Sequence, residues 1–450
     1  MIMKKGVLLM ENFKYIIIGF GKGGKTLAKT LATKKEQVLV IEQDETMYGG
    51  TCINIGCIPS KKLITQAQKQ IPLETASENK QVLISALRNK NYHMIADEET
   101  AQVWNGTARF LSNYELEVQL IDGTVKNVKG EYIFINTGAR SVIPTIKGLD
   151  ATASNVLTST EALNLKSAPK RLAIIGAGYI GLEFASMFNK FGSQVTVIDS
   201  FEQFIPREDP EIAHLVRQDL TNAGIDIHLG VKNLTFRHHE AEIEITYNDT
   251  ESIQADYVLL ATGRTPNTAA LGLENTDITV LPTGAIQVDE YLKTSVPNVW
   301  AIGDVKGGPQ FTYVSLDDFR IIADQLFGTG ERTVNDRTLI PYTVFITPAL
   351  SNVGINEEQA KTKGLNYKVF KLPVANIPKA HILDDTRGLF KVIVDADTNL
   401  ILGASLYGVE SQEIINIITL AMQANIPYTV LKNQIFTHPT MSESLNDLFK

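Results

Sequence analysis

"KYIIIGFGKGGKTLAKTLA", residues 14 to 32, decides the fold. An apolar run from Tyr15 to Ile18 meets Gly19, Gly21 and Gly24, and Leu27, Ala28 and Leu31 then recur at helical spacing. A second apolar run, Val38 to Ile41, ends on Glu42. The pattern predicts a strand, a tight turn, a helix and a second strand. The glycines let the backbone approach a pyrophosphate at the helix N-terminus, and Glu42 is placed to accept from a ribose hydroxyl. Without the two framing strands, three glycines would signify only a turn.

The construction recurs at "RLAIIGAGYIGLEFASMFNKFGSQVTVIDS", residues 171 to 200, with Gly176, Gly178 and Gly181, a helix through Phe191 and a strand ending in Asp199. Two such units imply two dinucleotides. An acid at the second strand's end favours an unphosphorylated ribose, because a 2′-phosphate would be repelled and would need an arginine; the next one is Arg207. The second cofactor therefore reads as NADH, with NADPH the alternative. As a solvated loop residue, Asp199 would be neutral to either.

"EYIFINTGAR" (131 to 140) and "DYVLLATGRTPN" (256 to 267) are apolar strands ending in Thr-Gly turns, and their similarity suggests that each returns the chain from one domain to the next. "NVWAIGDV" (298 to 305) ends another strand on Gly303 and Asp304, near enough to approach a cofactor's sugar-like chain. An acid closing a turn is the plainer account of Asp304.

The only two cysteines in 450 residues lie together in "GGTCINIGCIPSK", residues 49 to 61. So sparing a use implies a reducing compartment, where a close pair is catalytic or metal-binding rather than a structural staple. In a regular helix, positions five apart stand beyond disulfide range, so bonding requires a distorted segment. Gly49, Gly50 and Gly56 relax the backbone, and Pro59 is expected to interrupt any helix through the segment. Zinc would need four ligands, and the nearest histidine, His93, has no ligand spacing to the pair.

A net charge of −8 argues against nucleic acid or anionic membrane as a main partner, and no apolar run approaches a membrane span. The start, "MIMKKGVLLMENFKY", resembles a signal peptide, but its apolar stretch is short and Glu11 interrupts it; Met10 is an alternative start. The expected location is cytoplasmic.

In this order, the two nucleotide units, the cysteine pair, the Thr-Gly strand ends and "AIGDV" resemble the flavoprotein disulfide reductases, the family of glutathione reductase, lipoamide dehydrogenase and mercuric reductase. The resemblance covers the chain from about residue 12 onward. It implies an α/β fold with two Rossmann-like dinucleotide-binding domains and a C-terminal α+β dimerisation domain. The implied boundaries are 10–150 with 265–335 for FAD, 151–264 for NAD(P), and 341–450 for the homodimer interface. Within the family, Cys52 would meet substrate and Cys57 the flavin, with Lys61 and Glu183 a buried pair near the flavin. Asp304, with Gly303, would hold the ribityl chain. Gly50, Thr51, Thr137, Gly138, Gly263 and Arg264 would line the cofactors. "IFTHPTMSESLNDLF" resembles the family's His-Pro-Thr signature, in which His438 is the acid/base for the partner subunit's thiols and Glu443 orients it. Thr440 and Glu443 also have the spacing of a capping box opening the last helix.

Stretches outside the shared motifs, "PRED", "QFTYVSLDDFRI", "NDRTLIPYTVF" and "DDTRG", resemble the reactive-chlorine-resistance branch, whose members are hypothiocyanous acid reductases. The tail carries no further cysteine, so no second dithiol relays electrons outward. The expected substrate is a small-molecule oxidant reaching Cys52 directly. Alternatives are glutathione or lipoamide, a copper or mercury ion, or a sensor that does not turn over.

Overall fold

The computed structural model describes residues 10–240 and 242–450; the apolar stretch before Met10 lies outside the described residues. The chain divides into two compact units. One takes residues up to 62, then 75–142 and 263–337; the other takes 63–74, 143–262 and 338–450.

In the first unit, strand Met10–Ile18 pairs in parallel with Val38–Glu42 on one side and Val125–Ile135 on the other. Ala101–Phe110 and Val299–Ala301 continue the parallel sheet at its edges. The order third–second–first–fourth–fifth is the doubly wound one, whose ligand site lies at the carboxyl ends of the strands. Parallel strands covered on both faces need apolar residues at every position. Accordingly Ile16, Ile18, Leu39 and Ile41 enter one core cluster, while Tyr15, Ile17, Val38 and Val40 enter another. Leu27, Ala28 and Leu31 of helix Lys22–Thr33 complete that second cluster, and each buried leucine contributes roughly 1.5–3 kcal/mol. Strand Glu115–Leu120 pairs antiparallel with both Ala101–Phe110 and Val125–Ile135.

The second unit repeats the plan. Asp226–His228, Gln194–Ile198, Arg171–Ile175, Tyr257–Leu260 and Val156–Leu157 form a parallel sheet in that spatial order. The helix after its glycines is Tyr179–Lys190, with the expected Phe191 as its C-terminal cap. An antiparallel five-stranded sheet follows, with Leu389–Asp395 and Ile401–Tyr407 paired inside it and helix Ser411–Gln423 packed on one face. The two nucleotide-like sheets and the mixed C-terminal layer are the α/β architecture expected from the sequence. Within this unit Lys391, 4% exposed, bonds Asp209 at 2.8 Å and Glu357 at 2.6 Å. Tyr407 donates to Asp219 at 2.7 Å. These bonds tie the parallel sheet's helix Pro210–Asn222 to the antiparallel sheet.

Candidate active site

The dithiol sits on a broken helix. Gly49 and Gly50, at φ +97° and +78°, turn the chain into a short helix, Thr51–Asn54, and a second helix, Cys57–Gln68, starts three residues later. One expectation is corrected here. Pro59 does not interrupt a helix but sits in the first turn of Cys57–Gln68, where no intrahelical acceptor awaits its missing N–H. The break falls at Ile55 and Gly56 instead, and a Cβ on Gly56 would stand 2.9 Å from the Thr51 carbonyl oxygen. Neither cysteine forms a disulfide here; Cys52 is half-buried and Cys57 exposed. A hydrogen bond between the thiols, and after it burial, holds Cys52 well above the ordinary thiol range.

The helix that begins within "QFTYVSLDDFRI" stands out in the sequence only through the family resemblance. In the structure this helix, Thr312–Phe327, brings Thr312 Oγ1 to 3.7 Å from Cys57 Sγ. A thiolate at a helix N-terminus is stabilised by the unpaired N–H groups there. Asp318, fully buried on the same helix, accepts the Gly303 N–H at 2.8 Å and pairs with Arg337 at 2.7 Å and Lys306 at 3.4 Å. Gly303 takes φ +73°, so Asp318 fixes the turn that carries Asp304. Burial raises the Asp304 pKa, while Arg264 and Lys306 oppose it. Arg264, lowered by burial, feels the opposing charges of Asp304 and Cys57, so Cys57 is the thiol on the Arg264–Asp304 side.

The loop Gly19–Gly24 is held from three directions. Glu42 accepts the Phe20 N–H at 2.9 Å, and burial pushes its carboxyl up to about 7. Asn136, at the end of strand Val125–Ile135, accepts the Gly24 N–H at 2.9 Å and donates to the Ile302 carbonyl at 3.0 Å. Ser315 accepts the Gly23 N–H at 3.1 Å. The neighbouring Thr137 donates to the Asn267 carbonyl at 2.8 Å, and strands Ala139–Ser141 and Arg264–Pro266 pair antiparallel, so the two Thr-Gly returns form one ribbon.

In the second unit, Asp199 accepts the Ala177 N–H at 2.6 Å and the Phe201 N–H at 2.8 Å, tying Gly176–Gly181 to its strand as Glu42 ties the first loop. Glu183, 7% exposed, accepts the Phe345 N–H at 2.9 Å. Lys61 lies in helix Cys57–Gln68. Near the C-terminus, the Glu443 carboxylate makes two sets of contacts at once. Its Oε2 is 2.8 Å from His438 Nδ1, while Oε1 accepts the Thr440 N–H at 3.2 Å and Thr440 Oγ1 accepts the Glu443 N–H at 3.2 Å. The reciprocal bonds of a capping box form just ahead of the last helix, Ser444–Leu448. His438 remains 72% exposed, with Nδ1 committed to Glu443 and Nε2 left to act as the second ring nitrogen.

The glycines near these turns differ in what surrounds them. A Cβ at Gly138, Gly178, Gly263 or Gly308 would meet nothing within 4 Å, so packing does not require glycine's small size at these positions. With Glu42, Asp199 and Asp304 at the strand ends, these residues fit FAD on the first unit and a nicotinamide dinucleotide on the second.

The family model for pyridine nucleotide-disulphide oxidoreductases matches residues 13–318, and the model for the dimerisation domain of the same proteins matches 340–449. The probable pyridine nucleotide-disulfide oxidoreductase RclA of Escherichia coli is 49% identical over 440 residues, covering 98% of this chain and 99% of that protein. A mercuric reductase of Staphylococcus aureus is 32% identical, covering 96% and 81%. The solved structure of the HOCl-induced flavoprotein disulfide reductase RclA from Escherichia coli superposes with a TM-score of 0.94 at 49% identity, covering 97% of this chain and 99% of that one.

Proposed function

Since the chain belongs to the pyridine nucleotide-disulphide oxidoreductase family, we propose that it reduces hypothiocyanous acid to thiocyanate through Cys52 and Cys57, with NADH as electron donor. It is a flavoprotein oxidoreductase of a family that uses FAD and NAD(P)H, and its dimerisation domain supports a homodimer. The observation that carries the proposal is the hydrogen-bonded thiol pair whose Cys57 lies beside Thr312 and within reach of the Arg264 charge. The HOCl-induced relative supports a role in reactive-chlorine stress, in which a small hypohalous-type oxidant such as hypothiocyanous acid is a fitting substrate.

FAD, when bound, would carry electrons from the nicotinamide to the dithiol, held by Gly19, Gly21, Gly24, Glu42, Gly50, Thr51, Thr137, Gly138, Gly303 and Asp304. Gly176, Gly178, Gly181 and Asp199 would hold the nicotinamide dinucleotide, with Gly263 and Arg264 between the two returns. Lys61 and Glu183 belong, by resemblance, to the flavin's surroundings. In the reduced protein, His438 of the partner subunit, kept in orientation by Glu443, takes the proton of Cys52, the resulting thiolate attacks the sulfur of hypothiocyanous acid, and His438 returns the proton to the leaving oxygen, which departs as water. Cys57 thiolate then attacks Cys52 Sγ, forming the disulfide and expelling thiocyanate. Two electrons leave the dithiol and one S–O bond is reduced. The exposure of His438 in the single chain and its bond to Glu443 support the role across the dimer.

The domain reading is proposed with it: 10–150 and 265–335 for FAD, 151–264 for the nicotinamide, 341–450 for the interface. Among the described residues no helix is long and apolar enough to cross a membrane, and we place the enzyme in the cytoplasm on its sparing use of cysteine.

The test is anaerobic NADH turnover of flavin-loaded protein with hypothiocyanous acid, oxidised glutathione and lipoamide in parallel. Hypothiocyanous acid is expected to be reduced fastest, and Cys52→Ser to retain flavin with no turnover. Preference for either disulfide, or full activity of Cys52→Ser, overturns the reading.

A further inference from the structure

Lys25 immediately follows the last glycine of the first loop, and its side chain points inward, 5% exposed. Its ammonium donates to the Gly49 carbonyl at 3.3 Å and to Asn91 Oδ1 at 2.5 Å. Both acceptors are neutral, and no carboxylate forms an ion pair with Lys25 among the described residues. A buried ammonium with only neutral partners is costly to maintain, and a methionine of similar volume would fill the same space without that cost. The charge therefore needs an account that packing does not supply.

Its surroundings indicate what it serves. Gly49 lies three residues before Cys52. Gly50 rests on the glycine loop, since a Cβ there would stand 2.7 Å from Gly21 Cα. The turn that opens the dithiol helix and the turn that opens the helix of Lys25 thus touch, and Lys25 spans them. The far side of the same turn is held separately: Asn54 donates to the Tyr48 and Gly50 carbonyls, each at 3.0 Å, and accepts from Arg88 Nε at 2.9 Å. Arg88 and Asn91 sit three apart on helix Leu73–Ala96, so one helix face braces both sides of the turn. Arg88 is committed to Asn54, whereas the charge of Lys25 acts on Cys52. Burial, with Lys22 nearby, pulls Lys25 down to about 8, and Cys52 is the group that pulls it back. On the Cys52 thiol the opposing influences are Cys57 and burial, which raise its pKa, and Thr312 and Lys25, which lower it. Cys57 in turn faces Arg264 and Tyr313.

We propose that Lys25 is the counter-charge of Cys52, a positioning residue that holds the Gly49–Cys52 turn and stabilises the thiolate that attacks the oxidant. The inference rests on the reading of Cys52 as the attacking thiol. It extends that reading by giving the thiolate an electrostatic partner that the glycine-loop motif does not specify.

The experiment uses flavin-loaded protein in the Cys57→Ser background, where a single thiol titrates. The rate of Cys52 alkylation by iodoacetamide is followed from pH 5 to 10 by mass spectrometry, for Lys25 itself and for Lys25→Met, Lys25→Gln and Lys25→Arg. An opposite charge at close range lowers a pKa by one to three units, so both neutral variants are expected to move the midpoint up by about one unit. Below both midpoints, alkylation slows only about threefold, because a more basic thiolate is also intrinsically more nucleophilic. Arginine restores the original profile. Glutamine separates charge from scaffold: it keeps a donor for Gly49 and Asn91, so a structural role would leave its midpoint unmoved. Flavin absorbance per chain is read on the same samples. An unmoved midpoint in both neutral variants overturns the inference. Loss of flavin with an unmoved midpoint overturns it too, and assigns the ammonium to the dinucleotide. A parent protein whose Cys52 resists alkylation at every pH overturns the reading of Cys52 itself, separately from any effect of Lys25.

Discussion

A methyl group on Gly21 would meet Asn136 Oδ1 at 2.6 Å; the same group on Gly178, at the same place in the second loop, would meet nothing within 4 Å. Both loops follow one pattern, and both have an acid at the end of the next strand that accepts a loop N–H, Glu42 from Phe20 and Asp199 from Ala177. Their middle glycines are nonetheless there for different reasons. In the first loop the glycine is a packing requirement, because Asn136 occupies the space and uses its amide to join Gly24 to Ile302. In the second, packing leaves the space open. A shared motif therefore conceals two situations, one in which the fold itself enforces the glycine and one in which it does not.

The comparison is most exposed at Gly21. Gly21→Ala must displace Asn136 and its two hydrogen bonds, so a destabilisation of about 2–3 kcal/mol is expected, together with loss of flavin and of turnover. Thermal unfolding and flavin absorbance check it, and a stable, yellow, active variant would erase the distinction between the loops. Next in size is Glu42→Gln. The Glu42 carboxyl titrates near 7 when folded against 4.5 ordinarily, so between these values the folded chain keeps a proton that the unfolded chain has released. Stability of the flavin-free protein should then fall as pH rises from about 4.5 to 7. Glutamine should remove about 2 kcal/mol of that slope, a figure discounted for residual solvent screening. Denaturant unfolding at pH 5 and pH 7 measures the difference; parallel curves would refute it.

The second loop is expected to respond in binding rather than stability. Gly178→Ala should keep its flavin and its melting temperature while the KM for NADH rises at least about tenfold, since its Cβ has room in the chain but not against a pyrophosphate. A lowered melting temperature with unchanged KM would make the two loops alike after all. The smallest effect expected is at Asp199. Asp199→Asn retains an acceptor for the Ala177 N–H but gives up the charge that disfavours a 2′-phosphate, and the preference for NADH over NADPH should relax by about fivefold. Kinetics with both nucleotides decide this, and an unchanged ratio would return Asp199 to a purely structural bond.

Much of this architecture is legible locally. The apolar runs at Tyr15–Ile18 and Leu172–Ile175, the glycine spacings and the acids at the ends of the following strands are short-range patterns whose geometry follows from strand and helix periods. The Thr440–Glu443 spacing is local as well, and its reciprocal bonds form. Pro59 shows the limit of such reading. Whether a proline breaks or begins a helix depends on where the preceding turn ends, and here Gly56 ends it two residues earlier than the proline would.

The sequence by itself determined two nucleotide folds, a close cysteine pair and the Thr440–Glu443 capping spacing, because each is written in residues at most a few tens apart, whereas the pairing of His438 with Glu443 came from the family resemblance. Tertiary structure alone decided what surrounds them. Asn136 reaches a loop 112 positions away, Ser315 reaches the same loop across 292, and Cys57 meets Thr312 across 255. Lys25 and Asn91, 66 apart, meet only because a glycine turn and a long helix are folded onto the same strand ends. No spacing rule encodes these meetings: they depend on which strands pair and in what order, and pairing order is set by burial of the whole chain's apolar surface.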